Sequence, residues 1–158
     1  DLKKWREIME AYENGGHAYY TTMPTDALAR TCDAMAETRA SGFQALRARQ
    51  LELGLKVRAL LAKKGLPSVA ADGFEAPGVV VSYTDDDALS SGKGFLGAGL
   101  QAAGGVPLQC DEPADFKTFR IGLFGLEKLQ HVDRTVATLE EALSRICRTR
   151  ATGIDPAP

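Results

Sequence analysis

Arg120 is the side chain best placed to do chemistry in this sequence. It sits in the run Phe119-Arg120-Ile121-Gly122-Leu123-Phe124-Gly125, one cation in an otherwise apolar stretch. With a strand's side-chain period of two, Phe119, Ile121 and Leu123 share one face, and Thr118, Arg120, Gly122 and Phe124 share the other. An unpaired buried charge is costly, so a guanidinium among such neighbours needs an anion or another acceptor. Gly122 leaves space beside it, and a planar fork grips a carboxylate through two parallel hydrogen bonds. An arginine that reaches solvent, or pairs with a structural Asp or Glu, fits the same pattern.

Other groups are weaker candidates. Tyr19, Tyr20, Thr21 and Thr22 gather four hydroxyls ahead of a helix expected to start at Thr25. Hydroxyls and helix N-terminal amides together suit a phosphate, although a plain extended segment with its cap has the same composition. Gly92-Lys93-Gly94-Phe95-Leu96-Gly97 matches GxGxxG, but Asp85 to Ser91 separate it from the preceding strand, and a dinucleotide motif turns directly from strand to helix. A P-loop is excluded because Asp87 and Gly94 stand where Gly and Ser or Thr are required. His17 and His131 are the only histidines, which excludes a multi-histidine metal site within the chain, and no nucleophilic triad follows from the spacings. Asp85-Asp86-Asp87 reads as a solvated turn before a cation site.

The elements that must position these residues follow from periodicity and punctuation. Residues 2–13 are predicted helical, with Trp5, Ile8, Met9 and Tyr12 on one face and Asn14-Gly15-Gly16 as the stop. Residues 17–23 are extended, and Pro24 biases Met23 the same way. Thr25 is expected to cap a helix running to about Ala40, with Leu28, Cys32 and Met35 at helical spacing and a break at Ser41-Gly42. A longer helix follows from Phe43 to Lys64, with Leu46, Leu53, Val57, Leu60 and Leu61 as its stripe and Gly65 as its end. Ser68–Ala71 reads as a weak strand, 78–84 as a strong one, 88–103 as a glycine-rich helix, and 106–110 as a short edge strand. The Arg120 strand comes next. A last helix over 128–147 turns Val132, Val136, Leu139, Leu143 and Ile146 inward, and the tail from Arg148 to Pro158 frays. The order predicts an α+β layer structure with a small antiparallel or mixed sheet covered by helices.

A length of 158 residues suffices for one domain with an appended arm, and 44% hydrophobic with 25% charged residues is ordinary for a globular protein. A net charge of −2 gives no footprint for nucleic acid or an anionic membrane, and no apolar run reaches membrane-spanning length. Cys32, Cys110 and Cys147 show no metal spacing and fit reduced thiols of a cytoplasmic protein. The opening Asp1-Leu2-Lys3-Lys4-Trp5 reads like the middle of a helix in a larger protein.

Two segments taken together resemble a known family. Tyr19-Tyr20-Thr21-Thr22-Met23-Pro24 with its following amphipathic helix, and Phe119–Gly125 followed by Val132-Asp133-Arg134, are similar to the class V pyridoxal-phosphate aminotransferases, above all the alanine–glyoxylate and serine–pyruvate group. The resemblance runs from about His17 to Ile146. It implies the C-terminal small domain of a fold type I enzyme: residues 1–24 as an arm and the end of the large cofactor domain, 25–147 as the small domain, 148–158 as a tail. It implies that Arg120 binds the substrate α-carboxylate. Tyr19 and Thr22 would reach across a homodimer interface to the phosphate of pyridoxal 5'-phosphate on the partner subunit.

The implied reaction of the parent protein is transamination between a small amino acid and a 2-oxo acid such as glyoxylate or pyruvate. In the family, the Schiff-base lysine, the aspartate facing the pyridine nitrogen and the stacking aromatic lie upstream of the Tyr-Thr segment. None has a counterpart here, and Lys3 and Lys4 take no such role. The chain is therefore expected to lack its N-terminal large domain, to hold no catalytic residue, and to be inactive alone. Cys110–Asp115 also departs from the glycine-rich loop of closer relatives, which leaves the substrate open. Desulfurase or lyase chemistry within class V, or a free-standing ligand-binding or interaction domain with Arg120 as an anion sensor, remain as alternatives.

Overall fold

The computed structural model describes residues 1–20 and 22–152, which divide into two compact units meeting at Ala40 and Ser41. Thr21, one of the four clustered hydroxyls, and the end of the expected tail, 153–158, lie outside the described residues.

The first unit contains α1 (Leu2–Glu13) and nearly all of α2 (Thr25–Ser41). Asp1 caps α1 by accepting from the Lys3 amide at 2.9 Å. Asn14 and Gly15, with φ of +77° at the glycine, stop it where expected. Of the predicted apolar face only Ile8 is buried, while Met9 and Tyr12 are exposed. The segment 16–19 carries no regular structure, so the extended expectation does not become a paired strand. Thr25 is the first helical residue instead of the cap, and the Pro24 carbonyl accepts the first bond, from Leu28 at 3.0 Å. No residue of α2 is buried, including Leu28, Cys32 and Met35.

The second unit begins at Ser41, and Gly42, with φ of +80°, separates α2 from α3 (Phe43–Lys63). The predicted stripe of Leu46, Leu53, Val57, Leu60 and Leu61 is buried in full. The helix ends in a left-handed glycine turn: Gly65 has φ of +76°, its amide bonds Ala62 O at 3.0 Å, and the Leu66 amide bonds Leu61 O at 2.9 Å. Next come β1 (Val79–Tyr83), α4 (Asp87–Ser90), α5 (Lys93–Gly97), β2 (Ala103–Gly104), β3 (Thr118–Gly122), α6 (Leu126–Gln130) and α7 (Val132–Thr152).

Several expectations are corrected here. The helix expected over 88–103 is two short helices, because Gly92 takes a left-handed φ of +77° between them. The strand expected over 106–110 is loop, and the strand is the shorter Ala103–Gly104 just before it. Ser68–Ala71 contributes one isolated bridge, Ser68 to Ser82. The Arg120 strand starts at Thr118 and stops at Gly122, short of Phe124. The last helix is broken at His131 (φ −132°, ψ 55°), and its second part continues to Thr152, past the expected start of the tail.

The sheet is antiparallel throughout, in the order β1-β3-β2. Its register pairs Val81 and Ala103 with Arg120, and Ser82 with Phe119. One face, with Val80 and Phe119, enters a core shared with Leu53, Val57 and Leu61 of α3, Phe95 of α5, and Leu139, Leu143 and Ile146 of α7. Phe95 and Phe119 pack with ring centroids 5.1 Å apart. Arg120 therefore stands on the opposite, less buried face.

Candidate functional site around Arg120

β3 is the central strand, and its neighbours on the Arg120 face are small: Ala103 on β2, Gly122 two residues on, and Val81 across β1. A side chain at Gly122 would meet nothing nearer than a Phe124 ring atom at 3.8 Å, so the space beside the arginine is open. The guanidinium is half-buried, and its Nε donates to the Gly104 carbonyl at 3.1 Å. No carboxylate pairs with it among the described residues. The acceptor demanded by the sequence pattern is thus met at one nitrogen by backbone, and the end-on Nη pair makes no hydrogen bond among the described residues.

Close packing holds β2 in place. A Cβ at Gly104 would come within 2.9 Å of the Ser90 carbonyl, and one at Gly105 within 2.3 Å of the Thr118 carbonyl. The Gly105 amide donates to Ser90 O at 3.0 Å, tying β2 to the end of α4. A Cβ at Gly92 would sit 2.8 Å from the Ala102 carbonyl. The glycines of the GxGxxG match therefore have a packing reason at Gly92 that involves no nucleotide. The acidic run caps and pairs: Asp86 Oδ1 accepts from the Ala88 and Leu89 amides at 2.6 and 3.2 Å, and Asp87 meets Lys117 at 2.7 Å. That pairing holds the Asp87 carboxyl below its ordinary pKa, chiefly through the lysine hydrogen bond.

The loop leading into β3 is folded around Glu112. Its Oε1 accepts from the Leu108 and Gln109 amides at 2.6 and 3.0 Å, and its Oε2 from Cys110 at 2.8 Å. The Cys110 and Gln109 amides lead in holding its pKa at about 2. Gln109 and Asp111 take positive φ of 59° and 61° in this turn. Nothing in the spacing of 106–112 pointed to this arrangement; the Gly104-Gly105 pair was the available signal for a tight approach.

In the first unit Tyr19 and Thr22 come together, with their hydroxyl oxygens 3.4 Å apart. Both are exposed, Tyr19 at 81%. A cavity of about 300 Å3 in the second unit is lined by core residues such as Val57, Phe95 and Leu139 and also by Gly122, and Arg120 is not part of its wall. No described helix is long and apolar enough to cross a membrane.

No family model matches the sequence, and no curated protein does. Among solved structures, the chain is similar to serine palmitoyltransferase from Sphingomonas wittichii, with a TM-score of 0.53 and 19% identity over 89% of this chain. The match covers 33% of that protein, so the chain spans about a third of its length. The likeness is one of fold: a small antiparallel sheet covered by helices.

Proposed function

We propose that this chain is the C-terminal small domain of a class V pyridoxal-phosphate aminotransferase that moves an amino group from a small amino acid to a 2-oxo acid. The observation that carries the reading is Arg120: a half-buried guanidinium on a sheet face, held at Nε, with open space at Gly122 and no carboxylate paired with it among the described residues. Such a group recognises the one feature that amino-acid and 2-oxo-acid substrates share, the α-carboxylate. The fold likeness to a serine palmitoyltransferase supports the coarser part of this reading, a domain of a fold type I pyridoxal-phosphate enzyme; class V and transamination rest on the sequence resemblance and Arg120.

Tyr19 and Thr22 fit the cofactor in this reading. Two exposed hydroxyls 3.4 Å apart present donors that phosphate oxygens accept, and they would serve the cofactor phosphate of the partner subunit in a homodimer. The chemistry that pyridoxal 5'-phosphate brings when bound is an electron sink for the substrate's Cα. Arg120 holds the carboxylate and so fixes the orientation of the Cα substituents, a positioning contribution. The lysine, the aspartate and the stacking aromatic that the reaction also needs belong to the large domain.

In the full-length protein, Arg120→Ala is expected to raise KM for amino acids and lower kcat/KM by roughly 100-fold, about 3 kcal/mol, as for a lost charged hydrogen bond. Unchanged kinetics would sink the assignment. A substrate panel with and without a 2-oxo acid acceptor separates transamination from desulfuration or lyase cleavage. The isolated 158 residues are expected to show no transaminase turnover, and any turnover from the purified chain refutes this.

A further inference from the structure

We infer that β2 is a positioning element for Arg120, with the Gly104 carbonyl holding Nε so that the substrate carboxylate is taken end-on by Nη1 and Nη2. The inference rests on the carboxylate-binding reading above and goes further, to the geometry of binding and the residue that sets it. A guanidinium offers a carboxylate two bidentate edges, one using Nε with one Nη, the other using both Nη groups. In this chain the Nε–H is committed to Gly104 O at 3.1 Å, which leaves the end-on edge. The strand that supplies the carbonyl is only two residues long, Ala103–Gly104, and pairs with Arg120 and Phe119.

That short strand is fixed by contacts that admit no side chain. Gly104 lies against the Ser90 carbonyl, Gly105 against the Thr118 carbonyl, and the Gly105 amide is bonded to Ser90. Gly104 is not in the left-handed region, so its backbone would accept alanine; only the Ser90 carbonyl, 2.9 Å from the added Cβ, opposes it. Gly104→Ala should therefore push β2 and α4 apart and shift the carbonyl away from Arg120 Nε, with no group at the substrate replaced. By contrast, a Cβ at Gly97 has nothing within 4 Å, which makes Gly97→Ala a matched control.

The test compares kcat/KM for alanine and for ethylamine, its analogue without a carboxylate, in the full-length holoenzyme. Gly104→Ala is expected to raise KM for alanine about tenfold with kcat within about twofold, and to leave ethylamine unaffected. Gly97→Ala should match wild type on both. Equal losses on the two substrates would show a general structural defect and overturn the inference. If Arg120→Ala impairs alanine turnover but Gly104→Ala does not, the inference fails and the carboxylate reading stands. If Arg120→Ala is silent, that reading itself fails.

A second measurement needs no variant. In the arginine-15N-labelled holoenzyme, the Arg120 Nε–H should exchange with solvent at least tenfold more slowly than that of exposed Arg49. Saturating propionate, a small unreactive carboxylate, should move the Nη resonances and leave Nε in place. Exchange at the exposed rate, or a shift of Nε larger than that of the Nη groups, would overturn the end-on geometry.

Discussion

Arg58 and Arg120 put the same side chain to opposite uses. Arg58 lies in α3 and spends its guanidinium on structure: Nη2 donates to Ala76 O at 2.8 Å and Val79 O at 3.1 Å, clasping the segment that enters β1. Burial is the leading cause that pushes its pKa below the usual arginine value. Among the described residues Arg120 makes one backbone bond, and its outer edge is open. The sequence made Arg120 conspicuous because a period-two strand exposes the contrast between one cation and its neighbours. In α3, by contrast, charged residues flank the apolar stripe everywhere, and nothing marked Arg58 among them. The two should separate experimentally. Arg58→Ala leaves two carbonyls without their donor and is expected to cost about 1–3 kcal/mol in urea unfolding. Arg120→Ala should cost under about 1 kcal/mol by the same measurement, because its one partner, Gly104 O, sits at a partly exposed edge. An equal loss of stability from both would make Arg120 a structural clasp.

At the scale of elements, legibility followed the source of order. α3 was readable because a helical period over 21 residues meets a glycine stop, and every residue of the periodic set is buried, with Gly54 added to it. Leu61 illustrates the consequence: fully buried between strand and helix layers, Leu61→Ala is expected to cost about 2–5 kcal/mol by chemical denaturation. The region from 88 to 112 was misread because its conformation is decided by single backbone positions. Gly92 turns left-handed and splits one helix into two, and the apolar run 106–110 is bent into a loop by amides that converge on Glu112. That loop should be acid-sensitive. The folded pKa of Glu112 is depressed to about 2 from an unfolded value of 4.5, so its stabilising contribution is complete above pH 4.5 and is lost as pH falls toward 2. Amide exchange at Leu108, Gln109 and Cys110 should accelerate through that window relative to α3, and Glu112→Gln should flatten the dependence. A loop whose protection is constant from pH 5 to 2 would rule out the carboxylate as its organiser.

At the scale of the whole molecule, order is unevenly distributed. Every member of the main hydrophobic cluster lies between Leu46 and Ile146, in the second unit. The first unit buries a single large apolar side chain, Ile8, while Leu2, Met9, Tyr12, Tyr19, Leu28 and Met35 stay exposed. The sequence showed Met9 and Tyr12, and Leu28 and Met35, at helical spacing, and spacing alone says that a face is apolar, not that anything covers it. In the chain the apolar patterns of α1 and α2 are largely surface. Helices of 12 and 17 residues with Ile8 as their one large buried side chain are marginal in water, since nucleation is costly and packing supplies most helical stability in proteins. Residues 41–158 are thus expected to unfold cooperatively without the first forty, with urea midpoint and slope close to those of the whole chain. Hydrogen exchange on the whole chain should show α1 and α2 amides exchanging at least a hundredfold faster than those of α3, β3 and α7. Equal protection across both units would mean that residues 1–40 share the stability of the core, and the exposed apolar residues of α1 and α2 would then need another account.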